Sequence, residues 1–385
     1  MLWKPLPAKQ QFFNPGAYKP DQSGINPEWL NVRRILAVRL DNIGDVVMLS
    51  PALRAIKQAM PEAHITLLAS PGGSLVAPLI PWIEDVITWR ALWQDISGAI
   101  QMNPEREQEL VSLLHSYQFD AAVIFTSFSQ SPYPPAYACY LAGIPLRLGH
   151  SNEFGGGVLS HWAKPPDESG HQVDRNLSLL AHIGIENTNR HMELMIPDEA
   201  QHSLDQKMLL LGLDPQEPFI ALAPGASAAA RRYDVKRFAM VVQEISAITG
   251  LPQVILGSAG EADKISPVTN LATPDGPVFS LVGQTSVPEL AALIQRASLL
   301  VANNSASLHI ADAYEKPVVI LYSGTEYITQ WEPRFSQARI LRRETFCSPC
   351  YKFQCPYQME CLDIPSEEVS QAVLDLLVET ERITA

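Results

Sequence analysis

Short apolar segments, each followed by a turn of small or polar residues and then by an amphipathic helix, constrain the fold of this chain most. Residues 34–39 (RILAVR) are largely apolar, a turn follows at 41–45, and apolar residues recur at helical spacing over 46–60. This alternation continues to about residue 142 and starts again at residue 219. Parallel strands covered by helices on both faces have this pattern. The sequence therefore predicts an α/β protein with two Rossmann-like, doubly wound domains that face each other across a cleft.

The length of the chain agrees with two domains, since 385 residues exceed one core of about 100–200 residues. We predict a mostly coil N-terminal extension over 1–31, an N-terminal domain over 32–195, a C-terminal domain over 196–362 and a closing helix within 363–385. The helices are predicted over 46–60, 104–116, 134–142, 235–249, 287–297, 305–314 and 367–379.

The charge balance limits the kinds of partner that the chain can bind. The chain has 28 Lys and Arg against 41 Asp and Glu, a net charge of −13, which disfavours general nucleic-acid binding. Its apolar runs are far shorter than the roughly 20 residues that span a bilayer, and no secretory signal is evident. We therefore expect a cytoplasmic protein.

Four loops are candidates for a binding site, because ligands of open α/β sheets bind outside the carboxyl ends of the strands. The first contains Arg39, Asn42, Gly44 and Asp45. Gly44 allows a tight turn, and Asp45 lies where a helix begins. Asp45 fits two interpretations that do not exclude each other, a helix cap and a general base that takes a proton from a hydroxyl group.

The second and third loops have the composition of nucleotide-binding turns. Small residues before Ser227 let backbone N–H groups approach a phosphate, and Arg231 can pair with it. This signal is weak alone, and the alternative is a plain loop with solvated arginines. Gly257 and Glu261 form a turn that suits a ribose, or simply a surface turn. Its glycine spacing differs from the Gly-x-Gly-x-x-Gly fingerprint, which disfavours a nicotinamide enzyme.

The fourth loop, Asn304, Ser305, Ala306 and Ser307, separates a strand from a helix. Ser305 can cap this helix, and the free N–H groups there can hold a pyrophosphate against the helix dipole. His309 lies one turn further on. Its simplest interpretation is a histidine packed in the core.

Four of the five cysteines, Cys347, Cys350, Cys355 and Cys361, crowd into one segment. Their Cys-x2-Cys-x4-Cys-x5-Cys spacing fits free thiols better than a structural zinc site, because only the first pair has the spacing of a metal knuckle. We expect neither a metal nor a cofactor.

Several ordered blocks together resemble the ADP-heptose:lipopolysaccharide heptosyltransferases (glycosyltransferase family 9), of which the chain looks like a divergent member. The blocks lie at 35–39, 43–47, 50–53, 142–149, 171–177, 224–227, 281–285 and 303–309. The resemblance extends from about residue 32 to the C-terminal helix. It implies the GT-B arrangement and an inverting, metal-independent transfer from a nucleotide sugar, ADP-heptose above all, to a lipopolysaccharide-core or other glycan, with peripheral contact to the inner face of the cytoplasmic membrane.

The resemblance also implies roles for the loop residues. Asp45 matches the general base, on the acceptor side with Arg39, Asn42 and Gly44. On the donor side, Arg231 matches a phosphate-binding Lys, and Glu261 matches a ribose-binding Glu. The other donor-side candidates are Ser227, Gly257, Asn304, Ser305, Ala306, Ser307 and His309. Asn304 and Ala306 replace the Asp and Gly of the family's triplet. A nucleotide-sugar epimerase or hydrolase, and a non-catalytic nucleotide-sugar-binding protein, are the alternative functions.

Overall fold

Two six-stranded, entirely parallel sheets form the framework of the computed structural model, which describes residues 24–153, 156–273 and 276–384. The first sheet contains β1 (Arg34–Arg39), β2 (His64–Ala69), β3 (Asp85–Thr88), β4 (Ala121–Ile124), β5 (Leu146–His150) and β6 (His161–Ala163). The second contains β7 (Ile220–Ala223), β8 (Gln253–Ile255), β9 (Val278–Ser280), β10 (Leu299–Asn303), β11 (Val318–Leu321) and β12 (Ala338–Leu341).

Helices cover both sheets. Those of the first half are α1 (Ile43–Val47), α2 (Ser50–Ala59), α3 (Pro104–Ser116), α4 (Tyr133–Leu141) and α5 (Gln172–Ala181). Those of the second half are α6 (Asp198–Leu210), α7 (Val235–Thr249), α8 (Ser266–Thr269), α9 (Val287–Arg296), α10 (Ala306–Ala313), α11 (Ile328–Trp331) and α12 (Ser366–Thr384). No helix of the described residues is both long and apolar enough to cross a membrane.

The two sheets repeat one topology. Their strand orders are β3-β2-β1-β4-β5-β6 and, read from the opposite edge, β9-β8-β7-β10-β11-β12. Both are the order 3-2-1-4-5-6 of the doubly wound fold, which confirms the predicted fold class. In each sheet the strand order reverses next to the first strand, between β1 and β4 and between β7 and β10.

Burial on both faces explains why the strands are so apolar. In β1, Ile35 and Ala37 point into one core, whereas Leu36 and Val38 point into another. Alternate residues of a strand lie on opposite faces, so a strand between two helical layers needs apolar residues at every position. One of the cores continues from the first half into the second, and it includes Leu308 of α10.

One predicted helix is wrong in the structure. The helix expected over 46–60 is divided into α1 and α2, because Pro51 lies in the first turn of α2. Proline has no N–H to bond the carbonyl of Val47, and its ring clashes with that carbonyl, so α1 cannot continue. Most of the predicted extension, residues 1–23, lies outside the described residues. Its last part contains a 3-10 turn, Pro27–Trp29, with Trp29 buried.

Candidate functional site

The loops that follow β1 and β4 face those that follow β7 and β10. The contact is direct, because α1, which follows β1, packs against α10, which follows β10. Ligands of doubly wound sheets bind where the strand order reverses, and here two such positions meet. The candidate site therefore lies between the carboxyl ends of the two sheets.

Asp45 lies in the first turn of α1, at its third residue. The N-cap is Asn42, so the expectation that Asp45 itself caps the helix needs correction. The Oδ2 atom of Asp45 accepts the backbone N–H of Asn42 at 3.2 Å, and its Oδ1 atom accepts Nη2 of Arg39 at 2.8 Å. The side chain keeps 17% of its surface exposed, so part of it still reaches solvent.

Arg39 is a fully buried cation that holds the first loop together. Besides Asp45, its guanidinium lies 3.0 Å from Oδ2 of Asp41 and donates to Oγ of Ser127 at 2.8 Å. Burial raises the pKa of Asp41 to about 6, although Arg39 acts to lower it and Asp45 acts to raise it further. Asp41 was not among the sequence candidates, because only the fold shows that it shares Arg39 with Asp45.

The loop between β10 and α10 leaves the N-terminus of α10 partly open to solvent. Ser305 occupies the N-cap position, as predicted, and its hydroxyl makes no capping hydrogen bond. Ser305 and Ala306 are partly exposed, whereas Ser307 is buried. Asn304 is also buried, and its Oδ1 accepts the backbone N–H of Ser323 at 3.2 Å, so it connects this loop to the loop after β11.

His309 lies at the contact between the two halves. A methyl group on Gly44 would come within 2.6 Å of His309 Cδ2 and 3.4 Å of the Cα of Ala306, so a side chain at position 44 requires the His309 ring or α10 to move. The imidazole also lies 6.3 Å from the ring of Trp331. Burial lowers the pKa of His309 to about 4, against the opposite effects of Asp45 and Asp312, so the ring is neutral at pH 7. His309 is thus a packed histidine, and its ring lies at the interface between the two halves, beside Asp45.

Arg231 provides the positive charge on the second half. It ends a 3-10 turn, Ala229–Arg231, and forms an ion pair with Glu326 from the loop after β11. Burial raises the pKa of Glu326, Arg231 lowers it, and the nearby charge of Asp45 raises it again. Ser227, earlier in the same loop, is exposed. Glu326 was missed because nothing in its sequence neighbourhood identifies Arg231 as its partner.

Glu261 and Gly257 lie on the neighbouring loop, after β8. The Oε2 atom of Glu261 accepts the N–H and the hydroxyl of Ser258 at 2.9 and 2.8 Å. A methyl group on Gly225 would overlap the carboxylate of Glu261, so the loops after β7 and β8 touch. The structure therefore brings together the two loops that the sequence analysis assigned to a nucleotide.

The four clustered cysteines line one pocket of about 240 Å³, together with residues that include Ala230, Gly324 and Thr325. Their thiols are unpaired. Within residues 24–153, 156–273 and 276–384, no group of three or more His, Cys, Asp or Glu side chains is arranged to hold a metal ion. The backbone N–H of Ala230 bonds the carbonyl of Phe353 at 3.0 Å, so the cysteine segment supports the loop that carries Arg231.

The family profile and the relatives named below agree on one family. The profile of Glycosyltransferase family 9 (heptosyltransferase) matches residues 109–360. Lipopolysaccharide heptosyltransferase 3 of Escherichia coli K12 is 26% identical over 300 residues, which are 75% of this chain and 82% of that protein. Lipopolysaccharide heptosyltransferase 2 of the same strain is 23% identical over 358 residues, 90% and 99% of the two chains. The solved structure of E. coli ADP-heptose lps heptosyltransferase II superposes with a TM-score of 0.72 at 21% identity, covering 90% of this chain and 99% of that one.

Proposed function

Because the chain belongs to glycosyltransferase family 9, we propose that it moves a heptose or related sugar from ADP-heptose to a sugar of the lipopolysaccharide core, by an inverting reaction that requires no metal. The observation that carries this proposal is the contact of α1 with α10. It brings the carboxylate of Asp45 to the partly open start of α10, within electrostatic range of the Arg231–Glu326 pair.

Asp45 is the proposed general base. The acceptor hydroxyl gives its proton to the carboxylate, its oxygen bonds to the anomeric carbon, and the bond from that carbon to the diphosphate breaks on the opposite face. Arg39 fixes the direction of the carboxylate through the bond to Oδ1, and the N–H of Asn42 fixes the other oxygen. Such a fixed carboxylate needs little reorganisation when it takes up the proton. Gly44, beside it, lets the two halves approach this closely.

The second half stabilises the leaving diphosphate. Negative charge grows on the diphosphate in the transition state, so a cation and free N–H groups there lower the barrier. Arg231 and the N–H groups of 305–307 at the positive end of α10 supply both. Glu326 neutralises Arg231 while the donor is absent, and the diphosphate displaces that carboxylate when it binds.

The remaining donor contacts are assigned by position. Glu261 accepts hydrogen bonds from the ribose hydroxyls, and Gly257 and Ser227 leave room beside it for the nucleoside. The neutral ring of His309 packs behind the phosphate loop, and Asn304 holds that loop to the strand beside it. A lipid-linked acceptor places the protein in peripheral contact with the inner face of the cytoplasmic membrane.

The test is a transfer assay with ADP-heptose and a truncated lipopolysaccharide acceptor, comparing wild type with Asp45→Asn. Loss of a general base typically costs about 10²–10⁴-fold in rate, so we expect kcat to fall by that factor while ADP affinity, measured by calorimetry, stays unchanged. Asp85→Asn removes an exposed carboxylate from β3 and serves as the matched control.

Three other outcomes separate the alternatives. Equal rates for wild type and Asp45→Asn contradict the assignment of the base. ADP release at the same rate with no acceptor present identifies a hydrolase. Loss of transfer in EDTA, restored by a divalent cation, contradicts metal independence.

A further inference from the structure

Asp41 is a second carboxyl group beside the proposed base, and the proposed transfer does not use it. Its Oδ2 atom lies 3.0 Å from Nε of Arg39. The neighbouring nitrogen of the same guanidinium, Nη2, donates to Oδ1 of Asp45 at 2.8 Å. One buried cation therefore contacts two carboxyl groups, of which only Asp45 is assigned a step in the reaction.

Contacts from two other loops fix the position of Asp41. Nε2 of Gln130, after β4, donates to Oδ1 of Asp41, and Oε1 of Gln130 accepts the N–H of Ser127 at 2.9 Å. The backbone carbonyl of Asp41 accepts a hydrogen bond from Oγ of Ser70, after β2, at 2.5 Å. The Asp41 side chain keeps 13% of its surface exposed, and its Oδ2 atom is buried. This carboxyl group is thus held next to the cation that orients the base.

The charge of Asp41 changes within the pH range in which enzymes are assayed. Burial raises the pKa of its carboxyl to about 6, and the charge of Asp45 raises it further, whereas Arg39 and the hydrogen bond from Gln130 lower it. Asp41 is therefore mostly neutral at about pH 5 and mostly ionised at about pH 7, next to the guanidinium that contacts Asp45.

The elements that pack around this pair bring three more titratable groups. The ring of His309, on α10, is neutral at these pH values, because burial lowers its pKa to about 4. Glu326, after β11, interacts electrostatically with Asp45, and Arg175, on α5, interacts electrostatically with Arg39. A substitution of the Asp41 carboxyl leaves all three groups in place, so it isolates the effect of that one charge.

An ionised Asp41 favours proton uptake by Asp45 in two ways. Its negative charge repels the other carboxylate, and this repulsion is relieved when Asp45 accepts a proton. It also takes part of the stabilisation that Arg39 gives to the ionised form of Asp45. Both effects make the Asp45 carboxylate a stronger base, and a stronger base lowers the barrier of a step in which it accepts a proton.

We propose that Asp41 is a positioning residue of the transfer, which acts through the shared guanidinium of Arg39 and makes Asp45 a stronger base when Asp41 is ionised. The acceptor hydroxyl still gives its proton to Asp45, and no proton passes through Asp41. This inference rests on the proposed function, in which Asp45 is the general base.

The experiment measures the single-turnover rate of transfer from ADP-heptose to a truncated lipopolysaccharide acceptor between about pH 5 and pH 8. A change of one unit in base strength alters such a rate by up to about tenfold, so the wild-type rate should rise about 3- to 10-fold through pH 6. Asp41→Asn keeps the shape of the side chain but not its charge. Its rate should equal that of wild type near pH 5 and should not rise. Asp85→Asn removes an exposed carboxylate at the amino end of β3 and should keep the rise.

Gln130→Leu tests the same carboxyl group without changing it. The hydrogen bond from Gln130 lowers the pKa of Asp41, so its loss raises that pKa, and the rise in rate should move to higher pH. A purely structural effect of either substitution would lower the rate at every pH and would leave the midpoint of the rise in place. The inference is overturned if Asp41→Asn keeps the rise, or if Gln130→Leu does not move it.

A measurement without catalysis separates this inference from the proposed function. In Asp45→Asn the charge that raises the pKa of Asp41 is absent, so the fall in the free energy of unfolding that Asp41 causes should move to lower pH. Urea unfolding across the same pH range checks this, and a fall that stays at the wild-type pH overturns the inference. If the fall moves but wild type transfers no sugar at any pH, the two carboxyl groups are coupled as inferred and the proposed function is contradicted.

Discussion

Arg39 shows how much of the candidate site depends on one buried residue. Its guanidinium is shared between Asp41, Asp45 and Ser127, and its side chain has no exposed surface. Asp41 also accepts a hydrogen bond from Gln130. Burial is the main cause that raises the pKa of Asp41 to about 6, and the nearby charge of Asp45 raises it further, whereas Arg39 and the hydrogen bond from Gln130 lower it. The Asp41 carboxyl therefore holds its proton up to about pH 6.

This arrangement predicts that the free energy of unfolding falls as the pH rises, and that Asp41→Asn removes this pH dependence. The pKa of the carboxyl rises from 3.8 to about 6 on folding, so the folded protein retains a proton that the unfolded chain has lost, and stability falls as pH rises through this window. One pH unit corresponds to about 1.4 kcal/mol, so the effect is at most about 3 kcal/mol.

Urea unfolding at pH 4.5 and at pH 7.5 checks the prediction. The free energy of unfolding of wild type, compared with that of Asp41→Asn, should be lower at pH 7.5 than at pH 4.5. A difference between the proteins that stays constant with pH would contradict it.

At the residue scale, sequence reasoning found groups but not their partners. Asp45, Arg231 and Ser305 were recognisable because each follows a strand, and the topology then brings their loops together. Glu326 was missed, since the feature that marks it is a partly buried ion pair. That pair depends on a contact between residues 95 positions apart in the chain.

At the scale of elements, the contact of α1 with α10 sets the width of the cleft. The helix α1 has only five residues, so its position depends on packing more than on its own hydrogen bonds. Gly44 lies against His309 and the first residue of α10. The separation of the two helices is therefore fixed by the absence of a side chain at position 44.

Gly44→Ala should force the helices apart and lower kcat/KM by about 10- to 100-fold, because a displacement of about 1 Å in a catalytic group can cost about 10²-fold. His309→Ala alone removes the clashing ring. The double variant should recover part of the loss, with kcat/KM above that of Gly44→Ala. Steady-state kinetics of wild type, the two single variants and the double variant give the coupling free energy between positions 44 and 309. If the losses of kcat/KM in the single variants simply add in the double variant, His309 is not the group that the new methyl group meets.

Element boundaries were predicted best where burial and capping agree. The helices over 104–116 and 235–249 have the predicted ends, with Asn103 and Asp234 as their N-caps. The strands β5, β6, β9 and β12 were not predicted, because each is at most five residues long and mixes apolar with polar or charged residues, so no apolar run marks it. The break between α1 and α2 could have been foreseen from Pro51.

At the scale of the whole molecule, polar contacts connect the two halves around the site. Nε2 of His171 lies 3.1 Å from the carbonyl of Glu332, and Arg334 pairs with Asp174 on α5. Buried Asp312 accepts the backbone N–H groups of Arg334, Phe335 and Ser336 at 2.8–3.1 Å, so the segment that reaches across is fixed to α10. If the donor binds at the start of α10, as proposed, these contacts connect its binding to closure onto the first half.

Arg334→Gln should shift the donor-free protein toward a more open form and weaken ADP-heptose binding. The side chains of the pair are 24% and 34% exposed, and such surface pairs are worth about 0.2–1 kcal/mol, so the loss of affinity should not exceed about fivefold. Arg190→Gln is the matched control, because Arg190 binds the same carboxylate of Asp174 from within the first half. Small-angle scattering should show a larger radius of gyration for Arg334→Gln alone, and calorimetry should show the weaker donor binding. Equal behaviour of the two variants would mean that Asp174 acts only within its own half and that closure depends on the packing of α1 against α10.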